Sequence, residues 1–231
     1  MKIAILIYNG MTMLDAIGPY EVLAQLPKAE VFFVAKKKGE IKSDTGYVHL
    51  NAKYDFNDMV EADILLIPGS TIAFVKVMND KKTLDWIRKI DKTTQFTTSV
   101  CSGSLILAAT GLLKGLKTTS HWKPISLLKE YGAIPIRERF VHEGKIVTAA
   151  GVSAGIDMAL YLVNEIAGEQ LAKSIQLLIE YDPSPLYKSG NFTACEPDII
   201  QKAERQLSRN AKRELNLFEA ITNLKTLKKL K

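Results

Sequence analysis

Apolar residues run unbroken through "KIAILIY" (residues 2–8) and then change period. In "MTMLDAIGPYEVLAQL", Leu14, Ile17, Val22 and Leu26 fall at helical spacing, so the pattern predicts a strand followed by a helix that Gly18 and Pro19 should break or kink. "EVFFVAKK" reads as the next strand, and "GEIKSDTGYVHLNAKYDF" alternates around turn residues as a hairpin or irregular β segment. "ADILLIPGS" is a strand that stops at Pro68 and Gly69, with helical stretches at 72–78 and 82–90. "QFTTSV" is a strand running into Cys101 and a helix at 102–110. "WKPISLLKEYG" predicts a helix closed by Gly132 as C-cap. "IRERFVHEGKIVTAA" reads as a hairpin turning at Glu143 and Gly144. "SAGIDMALYLVNEIAG" is a strong helix with Ser153 as its cap and Asp157 in its first turns, and "EQLAKSIQLLIEYD" is another.

Strands that are apolar throughout, alternating with helices, predict an α/β fold whose mostly parallel sheet is covered on both faces. From Pro197 onward the pattern is one long or broken helix, with Leu207, Leu215, Leu217, Phe218 and Ile221 on its apolar side. That stretch has too little β content for a second domain.

Composition narrows the class. The chain has 231 residues, 47% apolar and 24% charged, which fits one sizeable globular domain. Its net charge of +6 is matched by residues 201–231 alone, where nine Lys or Arg face three Glu. A basic tail of this kind reads first as a solvated helix face, and argues only weakly for nucleic acid. Two cysteines, Cys101 and Cys195, make no disulfide framework and suit a reducing compartment. His49, His121 and His142 do not fall at ligand spacing with them, so no metal is expected. No signal-peptide pattern and no apolar run of about 20 residues is present, so the expected location is cytoplasmic, away from membranes.

In doubly wound α/β folds ligands bind beyond the carboxyl ends of the strands. Four such tips carry chemistry here: the turn leading to Asp15, Pro68-Gly69-Ser70, Cys101, and Gly151. Cys101 sits where a strand turns into a helix, with Ser99 and Gly103 as small neighbours, which is the pattern of a nucleophile elbow. The helix start beyond it should lower the thiol pKa. Asp15 is a candidate acid or base, and its plainer reading is a residue complementing the helix dipole. The N–H groups of Gly69, Ser70 and Ser102 could hold an oxyanion-like charge. His121 reads either as a base or as a ring packed on Trp122, and Ser153 and Asp157 read as caps.

In order and spacing, "LDAIGPYEVL", "ADILLIPGS", "SVCSGSLILAATGLLKG", "TTSHW", "VTAAGVSAGIDMAL" and "EYDPSPLYKSG" resemble the ThiJ/PfpI family of the class I glutamine amidotransferase-like superfamily, over residues 1–195. The resemblance implies a flavodoxin-like three-layer sandwich with Cys101 on the elbow and Asp15 hydrogen-bonded to it. It implies catalysis without a cofactor, a small electrophilic substrate and often a homodimer. Residues 196–231 would then be a basic helical extension that matches no part of the family. Where the protease-like branch has His after the cysteine, this chain has Ser102, and hydratase-like members carry Thr there. Ser70 makes the usual "PGG" a "PGS". The motifs together with the hydroxyl at Ser102 favour the isonitrile hydratase-like branch, which adds water to R–N≡C to give a formamide. A glyoxalase or deglycase acting on α-oxoaldehydes, and a cysteine-based redox sensor, are the alternatives.

Overall fold

The computed structural model describes the backbone of residues 1–228 and side chains through residue 216. Two compact units divide at Asp182 and Pro183.

The first unit begins with β1 (Lys2–Leu6), α1 (Met13–Leu23), β2 (Glu30–Ala35), β3 (Gly39–Lys42), β4 (His49–Ala52), β5 (Tyr54–Asp55) and β6 (Ile64–Ile67). After these come α2 (Phe74–Val77), α3 (Lys81–Asp91), β7 (Phe96–Val100), α4 (Gly103–Ala109) and β8 (Lys117–Thr118). A 3-10 turn (Ile125–Tyr131), β9 (Ile134–Pro135), β10 (Phe140–Glu143), β11 (Ile146–Ala149), α5 (Ala154–Ala167) and α6 (Glu169–Leu178) complete it. Seven strands form one sheet in the order β10-β11-β7-β6-β1-β2-β5. Every pairing in it is parallel except that of β10 with β11. This is the mostly parallel, doubly covered sheet that the apolar runs predict.

Strand alternation sends Ile3 and Ile5 to one face, against Val22 of α1 and Met158 and Leu162 of α5. It sends Ala4 and Leu6 to the other, against Ile87 and Ile90 of α3 and Leu105 of α4. Burying both faces is what lets β1, β6 and β7 be apolar or hydroxyl-bearing throughout.

Two local expectations change. The first helix runs through Gly18 and Pro19 without a break. Its neighbour explains this: a Cβ at Gly18 would lie 3.1 Å from Ile156, and one at Gly155 would lie 3.0 Å from Pro19, so α1 and α5 approach closely at these residues. Packing of that kind overrides local propensity. Residues 125–131 wind as a 3-10 turn, not an α-helix, although Gly132 does close it in the left-handed conformation at φ 76°. Among the described residues no helix is long and apolar enough to cross a membrane.

In the second unit, α7 (Pro197–Lys228) is a single unbroken helix. Side-chain pairs four residues apart line its exposed face: Lys202 with Asp198, Arg205 with Gln201, and Gln206 with Asn210. Leu207 is half-buried and Leu215 exposed, and the expected apolar positions Leu217, Phe218 and Ile221 lie outside the described side chains.

Candidate active site

The elbow is built by strain that its surroundings hold in place. Cys101 has φ 59°, a conformation that costs a non-glycine residue about 1 kcal/mol or more. Its N–H donates to the carbonyls of Ala149 (3.2 Å) and Ala150 (2.7 Å) at the end of β11. Its own carbonyl accepts the hydroxyls of Ser104 (3.2 Å) and Ser120 (3.0 Å). Gly103 is small for a reason that lies across the sheet: a Cβ there would fall 2.1 Å from the carbonyl oxygen of Ile67. Ser99 is fully buried in β7.

The "PGS" turn after β6 meets the elbow edge to edge. A Cβ at Gly69 would stand 2.5 Å from the Ser102 nitrogen, so only glycine fits. The Ser102 hydroxyl donates to the Ser70 carbonyl (2.8 Å) and accepts the Ser70 N–H (2.9 Å). The Ser70 hydroxyl in turn accepts the N–H of Phe74 at 2.6 Å and caps the next helical turn. The serine in place of a second glycine thus has a local task.

Asp15 comes from the first turn of α1 and is fully buried. Its Oδ2 accepts the Gly69 N–H at 2.9 Å. Its Oδ1 is buried and has no hydrogen-bond partner. The Cys101 thiol is close enough that each of the two groups shifts the titration of the other. The structure therefore places Asp15, Gly69, Ser70, Cys101 and Ser102 together.

Electrostatics differ from the sequence reading. Burial raises the Asp15 carboxyl to about 7, against the pull of the Gly69 N–H and of the thiol. Burial also pushes the Cys101 thiol well above its usual range, and the Asp15 charge pushes it further. The Ser102 N–H works in the opposite direction but does not win. The expected helix-end thiolate is thus a protonated thiol at rest. The arrangement is a buried thiol beside a carboxyl that titrates near neutrality, able to take the sulfur's proton when an electrophile arrives.

Three roles read from the sequence shift. The N–H groups of Gly69 and Ser70 already serve Asp15 and Ser102, which leaves the Ser102 N–H, whose pull lowers the Cys101 pKa, as the remaining donor. His121 is wedged beside Gly151, where a Cβ would sit 3.4 Å from its ring, with Trp122 5.4 Å away on centroids. Burial keeps that ring neutral by lowering its pKa. Ser153 does not cap α5: its hydroxyl accepts an N–H of Arg139, which also pairs with Asp157.

Ser120 and Asp44 are the neighbours that the sequence reading passed over. Ser120 sat in view beside His121. Asp44 left no signal, since only folding brings the β3–β4 turn to the strand tips. Among the described residues there is no cluster of metal-binding side chains. A cleft of about 320 Å³ lined by Lys2, Phe32, Lys53 and Tyr54 contains none of these groups.

Residues 1–165 match the sequence profile of the DJ-1/PfpI family. The chain is 36% identical over 219 residues to the isonitrile hydratase of Pseudomonas putida, covering 95% of each chain. It is 32% identical over 122 residues to the deglycase PfpI of Pyrococcus furiosus, covering 52% of this chain and 72% of that one. A crystal structure of a ThiJ/PfpI family protein from Pseudomonas syringae superposes with a TM-score of 0.86 at 34% identity, over 92% of this chain and 88% of the other.

Proposed function

Because the chain belongs to the DJ-1/PfpI family, we propose that Cys101 and Asp15 form the nucleophile and proton carrier of an enzyme that adds water to a small isocyanide. The observation that carries the reading is the buried Asp15–Cys101 pair, set in a chain 36% identical over nearly its whole length to an isonitrile hydratase.

The chemistry balances with this chain's own residues. The sulfur attacks the terminal carbon of R–N≡C while its proton passes through Asp15 to that carbon. One C–S and one C–H bond form, and the product is a thioimidate, R–N=CH–S–Cys101. Asp15, again ionised, takes a proton from water as the water oxygen bonds to the same carbon, and passes that proton to the nitrogen. The C–S bond then breaks, the remaining hydroxyl proton returns to sulfur, and R–NH–CHO leaves. The Ser102 N–H steadies negative charge as it develops on sulfur at departure. The Ser102 hydroxyl has its proton committed to Ser70, so its role is to hold the turn and not to donate to substrate.

The likeness to a deglycase supports a second reading, attack of the same sulfur on an α-oxoaldehyde. A redox sensor built on a low-pKa thiol is disfavoured, since burial and Asp15 raise the Cys101 pKa. The separating experiment supplies cyclohexyl isocyanide or methylglyoxal and follows formamide or lactate. The hydratase reading expects N-cyclohexylformamide from the wild type and none from Cys101→Ala. Lactate without formamide, or undiminished formamide from Cys101→Ala, overturns it.

A further inference from the structure

A second carboxylate lies beside the segments that hold the site, on an element that the mechanism does not use. Between β3 and β4 the chain turns at residues 43–48, and this turn is bound to the strand tips that hold Asp15. The Asp44 N–H donates to the Met11 carbonyl at 3.0 Å. Asp44 Oδ2 accepts the hydroxyl of Thr12 at 2.9 Å and that of Thr71 at 3.4 Å, and Oδ1 accepts the Thr45 N–H at 2.8 Å. Thr12 is the residue before α1, and its carbonyl accepts the Asp15 N–H at 3.2 Å. Thr71 follows the "PGS" turn. Asp44 is therefore one side chain removed from both segments that hold Asp15.

Its charge is not cancelled locally. Among the described residues its partners are hydroxyls and an N–H, not a cation. The adjacent Lys42 pairs instead with Glu40 at 3.5 Å. Asp44 is half-buried, so its field is only partly screened by water. Its position beside Thr12 and Thr71 puts it within electrostatic reach of Asp15, whose pKa it raises. Asp15 itself is fully buried, and its Oδ1 has no hydrogen-bond partner.

We propose that Asp44 is a charge filter for the Cys101 site, disfavouring substrates that carry an anionic group near the reacting carbon and admitting neutral or cationic ones. The proposal deepens the reading of Cys101 as a nucleophile and rests on it. It implies that a carboxylate-bearing electrophile such as isocyanoacetate is a poor substrate beside its ethyl ester, although the two share the same reacting carbon.

The test alkylates the full-length protein with iodoacetamide, which is neutral, and with iodoacetate, which is anionic. Mass spectrometry follows Cys101, with Cys195 of the same chain as the reference for intrinsic reactivity. Removing Asp44 also lowers the Asp15 pKa, so the proteins are compared at pH 9, where Asp15 is ionised in both and its own repulsion of iodoacetate is common to them. At low salt the iodoacetamide preference at Cys101, normalised to Cys195, should fall at least about fivefold in Asp44→Asn. It should persist in Asp44→Glu. In the wild type it should shrink as salt rises, a readout that requires no variant to fold. The same preference in wild type and Asp44→Asn, or no response to salt, overturns the filter while leaving Cys101 as a nucleophile. Failure of both reagents to modify Cys101 overturns the underlying reading instead.

Discussion

Asp15 and Cys101 bias each other toward one protonation state: the carboxylate raises the thiol pKa, and the Gly69 N–H, with a smaller pull from the thiol, holds the carboxyl below where burial alone would put it. The pair therefore rests with its proton on sulfur. Attack requires Asp15 to be ionised and able to receive that proton.

The pH profile follows. With Asp15 titrating at about 7, kcat/KM for an isocyanide should rise with pH through that region and then level off. Asp15→Asn should remove this limb and lower kcat about 10²–10⁴-fold. Stopped assays between pH 5 and 9 test it. A flat profile in the wild type would show that Asp15 carries no proton in the rate-determining step.

Stability should move the opposite way. A carboxyl whose folded pKa is raised is protonated in the native state over a range where the unfolded chain has already ionised. Folding is therefore penalised above the folded value, and the penalty fades as pH falls from about 7 toward 4. Asp15→Asn keeps an oxygen for the Gly69 N–H and removes the charge. It should stabilise the protein at pH 8 by up to about 4 kcal/mol and by little at pH 4.5. Urea midpoints at the two pH values decide it, and equal effects at both would contradict the buried-charge account.

The glycines rank by what surrounds them. Gly103→Ala drives a methyl toward the Ile67 carbonyl, and Gly69→Ala drives one into the Ser102 backbone, at 2.1 and 2.5 Å. Each should destabilise by about 1–3 kcal/mol and displace the elbow. Gly111, at φ 87° with nothing within 4 Å, should cost only about 1 kcal/mol as alanine and leave activity intact. Gly103→Ala as stable and as active as Gly111→Ala would disprove the packing argument.

Ser102→Ala leaves the N–H that lowers the Cys101 pKa but strands the N–H and carbonyl of Ser70. We expect about 1–3 kcal/mol of lost stability with a partial loss of kcat. Complete inactivation at unchanged stability would assign the hydroxyl to the reacting water instead.

Much of this site was legible along the chain, for physical reasons. Cys101 and Gly103 stand out because a strand-to-helix turn needs small residues, and "PGS" stands out because Pro and Gly end strands. Asp15 entered as one of several tip residues, and its pairing with the sulfur came from resemblance to the family. The thiol's protonation was not legible, because it depends on burial and on a carboxyl 86 residues earlier in the chain. Ser153 looked like a cap because its side chain suits one, yet Arg139, far from it in sequence, takes the hydroxyl. Gly18 and Pro19 looked like a break because Gly155 was not visible as their partner.

The central claim is covalent attack by Cys101. Wild-type protein mixed with cyclohexyl isocyanide, quenched in acid within a turnover and digested, should show the Cys101 peptide heavier by the mass of one intact isocyanide. That adduct should rise before formamide appears and decay as it forms, and Cys195 should stay unmodified. Formamide released at the same rate by Cys101→Ala, with no adduct at any time in the wild type, would contradict the account.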